Sequence, residues 1–207
     1  MQIMSSKLHQ LTMSYSPKHD RILLRIGTLE NTEYRLWLTR RFVRSVWEPL
    51  KKTLEGNLSK GKELQPKIKE AIMAMEHQEL VQSSDFTKKH STDNVNVTPM
   101  ANISTQEKKE EGSKNLYKPS RNVEREELLD TGGVLVVGGR VRSLKNNLTQ
   151  VNFKLDNDTG VEFTLNKKLL HALCHMLIQS SNKAGWRLDL VVGSTQVLSA
   201  ENKDYFH

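Results

Sequence analysis

Residues 24–50 read LRIGTLENTEYRLWLTRRFVRSVWEPL, and residues 151–177 read VNFKLDNDTGVEFTLNKKLLHALCHML. A shift of 127 aligns them without a gap. Leu24, Ile26 and Thr28 fall on Val151, Phe153 and Leu155. Tyr34, Leu36 and Leu38 fall on Val161, Phe163 and Leu165, and Val46, Trp47 and Leu50 fall on Leu173, Cys174 and Leu177. In each stretch two runs alternate in side-chain direction, as half-buried strands do, and the residues between them are turn formers. A helix cap follows, Thr39 in one stretch and Asn166 in the other, whose oxygen can accept a free N–H of the first turn. The helix after each cap has an apolar stripe of period 3.6: Phe42, Val43, Val46, Trp47, Leu50 and Leu54, then Leu169, Leu170, Leu173, Cys174 and Leu177. Pro49 is expected to kink or end the first of these helices. Two basic residues follow each cap, where the helix dipole disfavours cations.

Working outward, Leu8–Tyr15 largely alternates and is followed by a turn at Ser16–Asp20. Gly133–Leu144 is rich in strand formers, with Gly138 and Gly139 marking a bulge. Trp186–Val192 is expected to add a strand after the second helix. Between the stretches, residues 61–80 predict a helix with Pro66 in its first turn and an apolar stripe of Ile68, Ile72, Met75 and Leu80. The reading is an α+β protein: duplicated β-β-β-α units, antiparallel sheets packed by helices, joined through a long flexible linker. The two units pack as one pseudo-twofold domain, the arrangement we expect, or each builds a small sheet under its own helix. The organisation is a first copy over 1–60, a connecting helix over 61–87, a flexible polar linker over 88–127, a second copy over 128–199 and a tail over 200–207. The linker is dominated by Ser, Thr, Asn, Lys and Glu, too little apolar surface to offset its ordering entropy.

Of the 207 residues, 36% are hydrophobic, and that low fraction reflects the linker. One cysteine rules out an intramolecular disulfide, and no apolar run reaches the roughly 18 residues of a membrane span. The first residues carry no apolar signal core, so a cytoplasmic protein with no membrane partner is expected. Nucleotide-cradle and nucleophile-elbow motifs do not occur. His171 and His175 stand one helical turn apart, a spacing that can hold a metal, but a helix supplies two ligands at most. A third would have to come from His9, His19, His77, His90 or His207. We expect histidines at the surface beside a buried thiol, with no metal, cofactor or catalytic residue.

The formal charge is +7, and residues 1–60 hold 11 Lys/Arg against 5 Asp/Glu. Arg25, Arg35 and Trp37 share the face opposite Leu24, Ile26, Leu36 and Leu38, with Arg21 on the same strand as Arg25. Arg40, Arg41 and Arg44 open the following helix. An exposed sheet face with arginines and an indole suits single-stranded nucleic acid, cations tracking phosphates while the ring stacks a base. The second stretch has Asn152, Glu162 and Thr164 at the corresponding places and gains Lys154.

Residues 35–41 (RLWLTRR), 169–177 and Ala184-Gly185-Trp186 resemble an uncharacterised family of bacterial proteins. That resemblance covers both apolar blocks and implies no activity or cofactor. In outline the doubled sheet-and-helix unit is similar to the PUR-repeat and Whirly single-strand binders, which have four strands per repeat. The expected function is a non-catalytic binding or adaptor protein that engages an unknown protein partner through sheet edges, the Trp47 helix or the linker. The alternative is single-stranded nucleic-acid binding through Arg21, Arg25, Arg35, Trp37, Arg40, Arg41 and Arg44.

Overall fold

Alternating apolar residues form strands here because both aligned stretches find partners of the same spacing. A computed structural model describes residues 3–5, 8–29, 32–58, 65–84, 96–97 and 132–194. The elements are β1 (Ile3–Ser5), β2 (Leu8–Ser16), β3 (Arg21–Thr28), β4 (Thr32–Leu38), α1 (Arg40–Leu58), α2 (Pro66–Gln82), β5 (Asn96–Val97), β6 (Val134–Ser143), β7 (Thr149–Leu155), β8 (Gly160–Leu165) and α3 (Lys167–Lys183). The protein is α+β. Nearly all of the expected linker lies outside the described residues.

Six strands, in the order β2-β3-β4-β6-β7-β8, make one mixed sheet. It is two antiparallel meanders, β2-β3-β4 and β6-β7-β8, spliced by a parallel contact in which Leu36 faces Val134 and Trp37 faces Leu135. Leu24 pairs with Leu36, and Ile26 with Tyr34. In the second meander Val151 pairs with Phe163, and Phe153 with Val161. The two hairpins thus have the same register at an offset of 127. Both caps form: Thr39 Oγ1 accepts from the Phe42 amide at 3.2 Å, and Asn166 Oδ1 from the Leu169 amide at 2.9 Å.

The short β1 pairs in parallel with β8, while β2, just downstream, pairs with β3. Ser5 and Leu8 are three Cα–Cα steps apart, at most ~11 Å. The outer edges of a flat six-stranded sheet would lie ~24 Å apart. One stretch of chain can border both edges only if the sheet curls until they approach. The helices cross over: α1 packs chiefly on β6 and α3 on β2, and the two helices also touch. The inward residues of both meanders, the stripes of α1 and α3, and Met73, Trp186 and Val192 form a single core. Phe42 of α1 meets Phe153 edge-on at 5.2 Å between ring centroids.

Three expectations are corrected. Trp186–Val192 is not a strand. Arg187 and Asp189 have φ of 49° and 50°, a left-handed conformation at alternate residues that breaks a ladder. The segment is held instead by Trp186, whose Nε1 donates to Asp20 Oδ1 at 2.9 Å, and by Gly193 against α2. Of the two outcomes expected at Pro49, a kink or an end, the end is overturned: α1 continues for nine residues beyond it with the proline ring exposed. On α2 the residues facing the core are Ala71 and Met73, while Ile68, Ile72 and Met75 are exposed. The chain after α3 packs against the α2 backbone here: a Cβ on Gly193 would stand 2.4 Å from the Glu70 carbonyl oxygen and 2.5 Å from the Ala74 amide nitrogen. Among the described residues no helix is long and apolar enough to cross a membrane.

The splice between the meanders is tight. A Cβ at Gly133 would lie 2.3 Å from Trp37 Nε1. Replacing Gly133 by Ala therefore has to displace the indole, and urea unfolding is expected to show a loss of about 1–3 kcal/mol. An unchanged midpoint would refute the contact.

Candidate functional site

A cavity of about 660 Å³ lies between β2 and α3. Its strand wall is His9, Gln10, Leu11, Thr12 and Met13, five consecutive residues. Side chains alternate across a strand, so one face would contribute only every second residue. A consecutive run means that β2 borders the groove with its edge. Among the described residues, β3 is its only strand partner.

The helix wall is one stripe of α3: Lys168, Leu169, Ala172, His175, Met176, Gln179 and Ser180, with the cap Asn166 at its start. It spans ~18 Å of helix beside ~13 Å of strand. Leu11, Met13, Leu169 and Met176 supply apolar wall, and each is only half-buried. No Asp or Glu lines the groove among the described residues, whereas His9, Lys168 and His175 do.

The far side of α3 is anchored to α2. His77 Nδ1 and His171 Nδ1 are 3.0 Å apart, so one ring donates and the other accepts. Lys167 pairs with Glu76, and Lys168 Nζ donates to the Ser83 carbonyl oxygen at 2.7 Å. The two lysines that the helix dipole disfavours are thus held by α2. The expectation of surface histidines is corrected: His171 is buried, because α2 covers it. Burial pushes the pKa of His171 down to about 4, helped by the charges of His77 and Lys167. Burial, and then His175, does the same to His77, also to about 4. Burial also lowers His175. Cys174 is fully buried, and burial pushes its thiol up to about 12, so it is no nucleophile at neutral pH. Among the described residues no three His, Cys, Asp or Glu side chains are arranged to hold a metal.

The residues expected to touch nucleic acid are placed differently from an open face. Arg25 and Arg35 do share a cross-strand row. Arg35 Nε, however, donates to Glu33 Oε1 at 2.6 Å, with only 8% of its side chain exposed. Trp37 is 6% exposed, covered by Gly133 and by the His19 ring at 5.1 Å. Its face is not open to a base, because the approach to β6 lies over it. Arg21 is half-buried, and Arg40, Arg41 and Arg44 are exposed on the first turns of α1. Sequence reasoning did not find the groove, since its strand wall is defined by a missing partner and not by a motif. Nor did it pair His77 with His171, 94 residues away.

No family model matches the chain, and neither a curated protein nor a solved structure is similar to it.

The imidazole pair sets a pH dependence. Both rings titrate near pH 4 when folded and near 6.5 when unfolded, so the unfolded chain binds more protons between those values. Their contribution is complete above about pH 6.5 and is lost as pH falls toward about 4. The melting temperature is expected to drop through this window, and H77L/H171L is expected to flatten the drop. An identical slope in the double variant would contradict the pairing.

Proposed function

We propose that this chain is a non-catalytic binding protein that captures an extended peptide of a protein partner by strand addition along β2. The observation that carries the reading is the consecutive run His9–Met13 on one wall of the groove, a strand edge facing a helix stripe across open space. Such an edge supplies main-chain donors and acceptors, while the flanking wall selects side chains. The groove suits a peptide with apolar residues toward Leu11, Met13, Leu169 and Met176. An acidic residue is favoured at the Asn166 end, where Lys168 and the α3 N-terminus both attract negative charge.

We also read the chain as one β-β-β-α unit written twice and joined by a linker. The shared offset of the hairpin registers, the matching caps and the reciprocal packing of α1 on β6 and α3 on β2 support that reading. The parallel contacts β4–β6 and β8–β1 fit it too, each joining the end of one unit to the start of the other. A buried Trp37 and a paired Arg35 give the nucleic-acid alternative at the first meander no stacking platform.

A display library of random peptides selected against the full-length chain tests the reading. Enriched peptides are expected to slow hydrogen exchange of the Leu11–Met13 amides. They are expected to bind M176R at least tenfold more weakly, a loss of about 1.4 kcal/mol or more, at an unchanged melting temperature. Failure to enrich any sequence, or protection that skips β2, would sink it.

A further inference from the structure

The second meander keeps its polar face open. On β6, Gly138, Arg140 and Arg142 alternate with the inward-facing positions Gly139 and Val141. The cross-strand rows place Arg140 opposite Asn152, Arg142 opposite Gln150, and Gly138 opposite Lys154. Glu162 lies opposite Asn152 on the other side, and Gly160 opposite Lys154. Lys154 therefore stands between two positions that carry no side chain. Arg140, Arg142, Gln150, Asn152, Lys154 and Glu162, with Gly138 and Gly139, line a concavity of about 470 Å³.

The polar groups divide into two chemistries. Gln150 Nε2 donates to Glu162 Oε1 at 3.0 Å, and Asn152 Nδ2 donates to Glu162 Oε2 at 3.3 Å. Both carboxylate oxygens are occupied, and the amides are turned so that their carbonyl oxygens remain as acceptors. Arg140 and Arg142 are exposed, with no ion-pair partner among the described residues. Lys154 reaches Asp158 at 3.4 Å, but both side chains are more than half exposed, so the pair holds it weakly. Across a strand pair a cation is ordinarily matched by an acid. Here the two arginines face amides across the strand pair, and Glu162, the one carboxylate lining the concavity, is bonded to those amides, leaving three cations against one acid.

We propose that this concavity binds a phosphate ester. Two guanidinium groups at i and i+2, about 7 Å apart along the strand, converge best on a tetrahedral anion, whose oxygens project in more directions than the coplanar pair of a carboxylate. Lys154 adds a third cation. Hydroxyl or amino groups of the esterified moiety donate to the carbonyl oxygens of Gln150 and Asn152. The site is on a different strand set from the β2 groove and stands or falls independently of it.

The test uses the full-length chain at low salt and four probes: pyrophosphate, a ribonucleoside monophosphate, a labelled oligothymidylate, and citrate as a carboxylate control. Proteins compared are the wild type, R140Q/R142Q and R40Q/R41Q/R44Q. At least one phosphate probe is expected to bind, with affinity falling as salt rises. R140Q/R142Q is expected to weaken it about tenfold or more at an unchanged melting temperature, and the α1 triple variant to leave it intact. Binding of the monophosphate, with or without pyrophosphate, identifies a free ester as the ligand, and binding of the oligonucleotide alone identifies a phosphodiester strand; either supports the site, whereas binding of pyrophosphate alone overturns the ester. Silence from every phosphate probe, binding that survives R140Q/R142Q, loss in the α1 variant instead, or equal affinity for citrate would overturn it.

Discussion

The parallel splice between β4 and β6 is the constraint on which the remaining structure depends. Leu36 and Trp37 meet Val134 and Leu135 side by side, and Gly133 gives the Trp37 ring its room. Parallel neighbours cannot be joined by a hairpin, so the chain must leave the sheet and return. It leaves through α1 and α2, which occupy that excursion and cover the core on the way. Without the splice each meander would be a three-stranded sheet under one helix, a marginal unit by area alone. With it, apolar residues of both meanders merge into one core.

Crossing the helices has a cost that the structure shows on one side only. α1 lies closely on β6, where Gly139 brings the strand near Phe42 and Phe153. On the other side α3 approaches β2 but leaves a groove between them. The strand there has no glycine to let the helix closer, and α3 is drawn toward α2 by the His77–His171 bond, the Lys167–Glu76 pair and the Lys168–Ser83 bond. The same arrangement therefore packs one helix closely on an inner strand and leaves a groove beside the other at the edge strand β2.

Much of this was legible in the residues. Alternation, turn formers and cap oxygens located both hairpins and both helices, because those signals are local and the two stretches repeat them. Faces were less legible. Arg25, Arg35 and Trp37 alternate with the core residues as a solvated face would, yet Glu33 pairs with Arg35 and the chain entering β6 covers Trp37. Ile68, Ile72 and Met75 have the period of a buried stripe, yet α2 turns Ala71 and Met73 to the core. Trp186–Val192 has strand composition, but left-handed residues at 187 and 189 prevent a ladder. The cover over Trp37 comes from a residue distant in sequence, which the local pattern could not show. The groove is the extreme example: among the described residues β2 has a strand neighbour on one side only, and no residue type encodes a missing neighbour.

The two polar faces show how one backbone register can carry opposite chemistry. At corresponding rows, Arg25 meets Arg35 in the first meander and Asn152 meets Glu162 in the second. The first row is closed by a buried carboxylate, Glu33, beside a nearly buried guanidinium, so its charge is used up holding the fold. The second row hydrogen-bonds its acid to neutral amides and takes its cations from β6, where they stay at the surface. Burial and charge are thus exchanged between the meanders: the face richer in arginine on its hairpin is the closed one. The net charge is concentrated in the first 60 residues, the part that holds the closed face, whereas geometry gives the open concavity to the second meander, whose strands carry as many cations as the first. Where charge can act is set by what covers it, and here the cover comes from the splice itself, which lays Gly133 over Trp37 and leaves Arg140 and Arg142 beyond its reach.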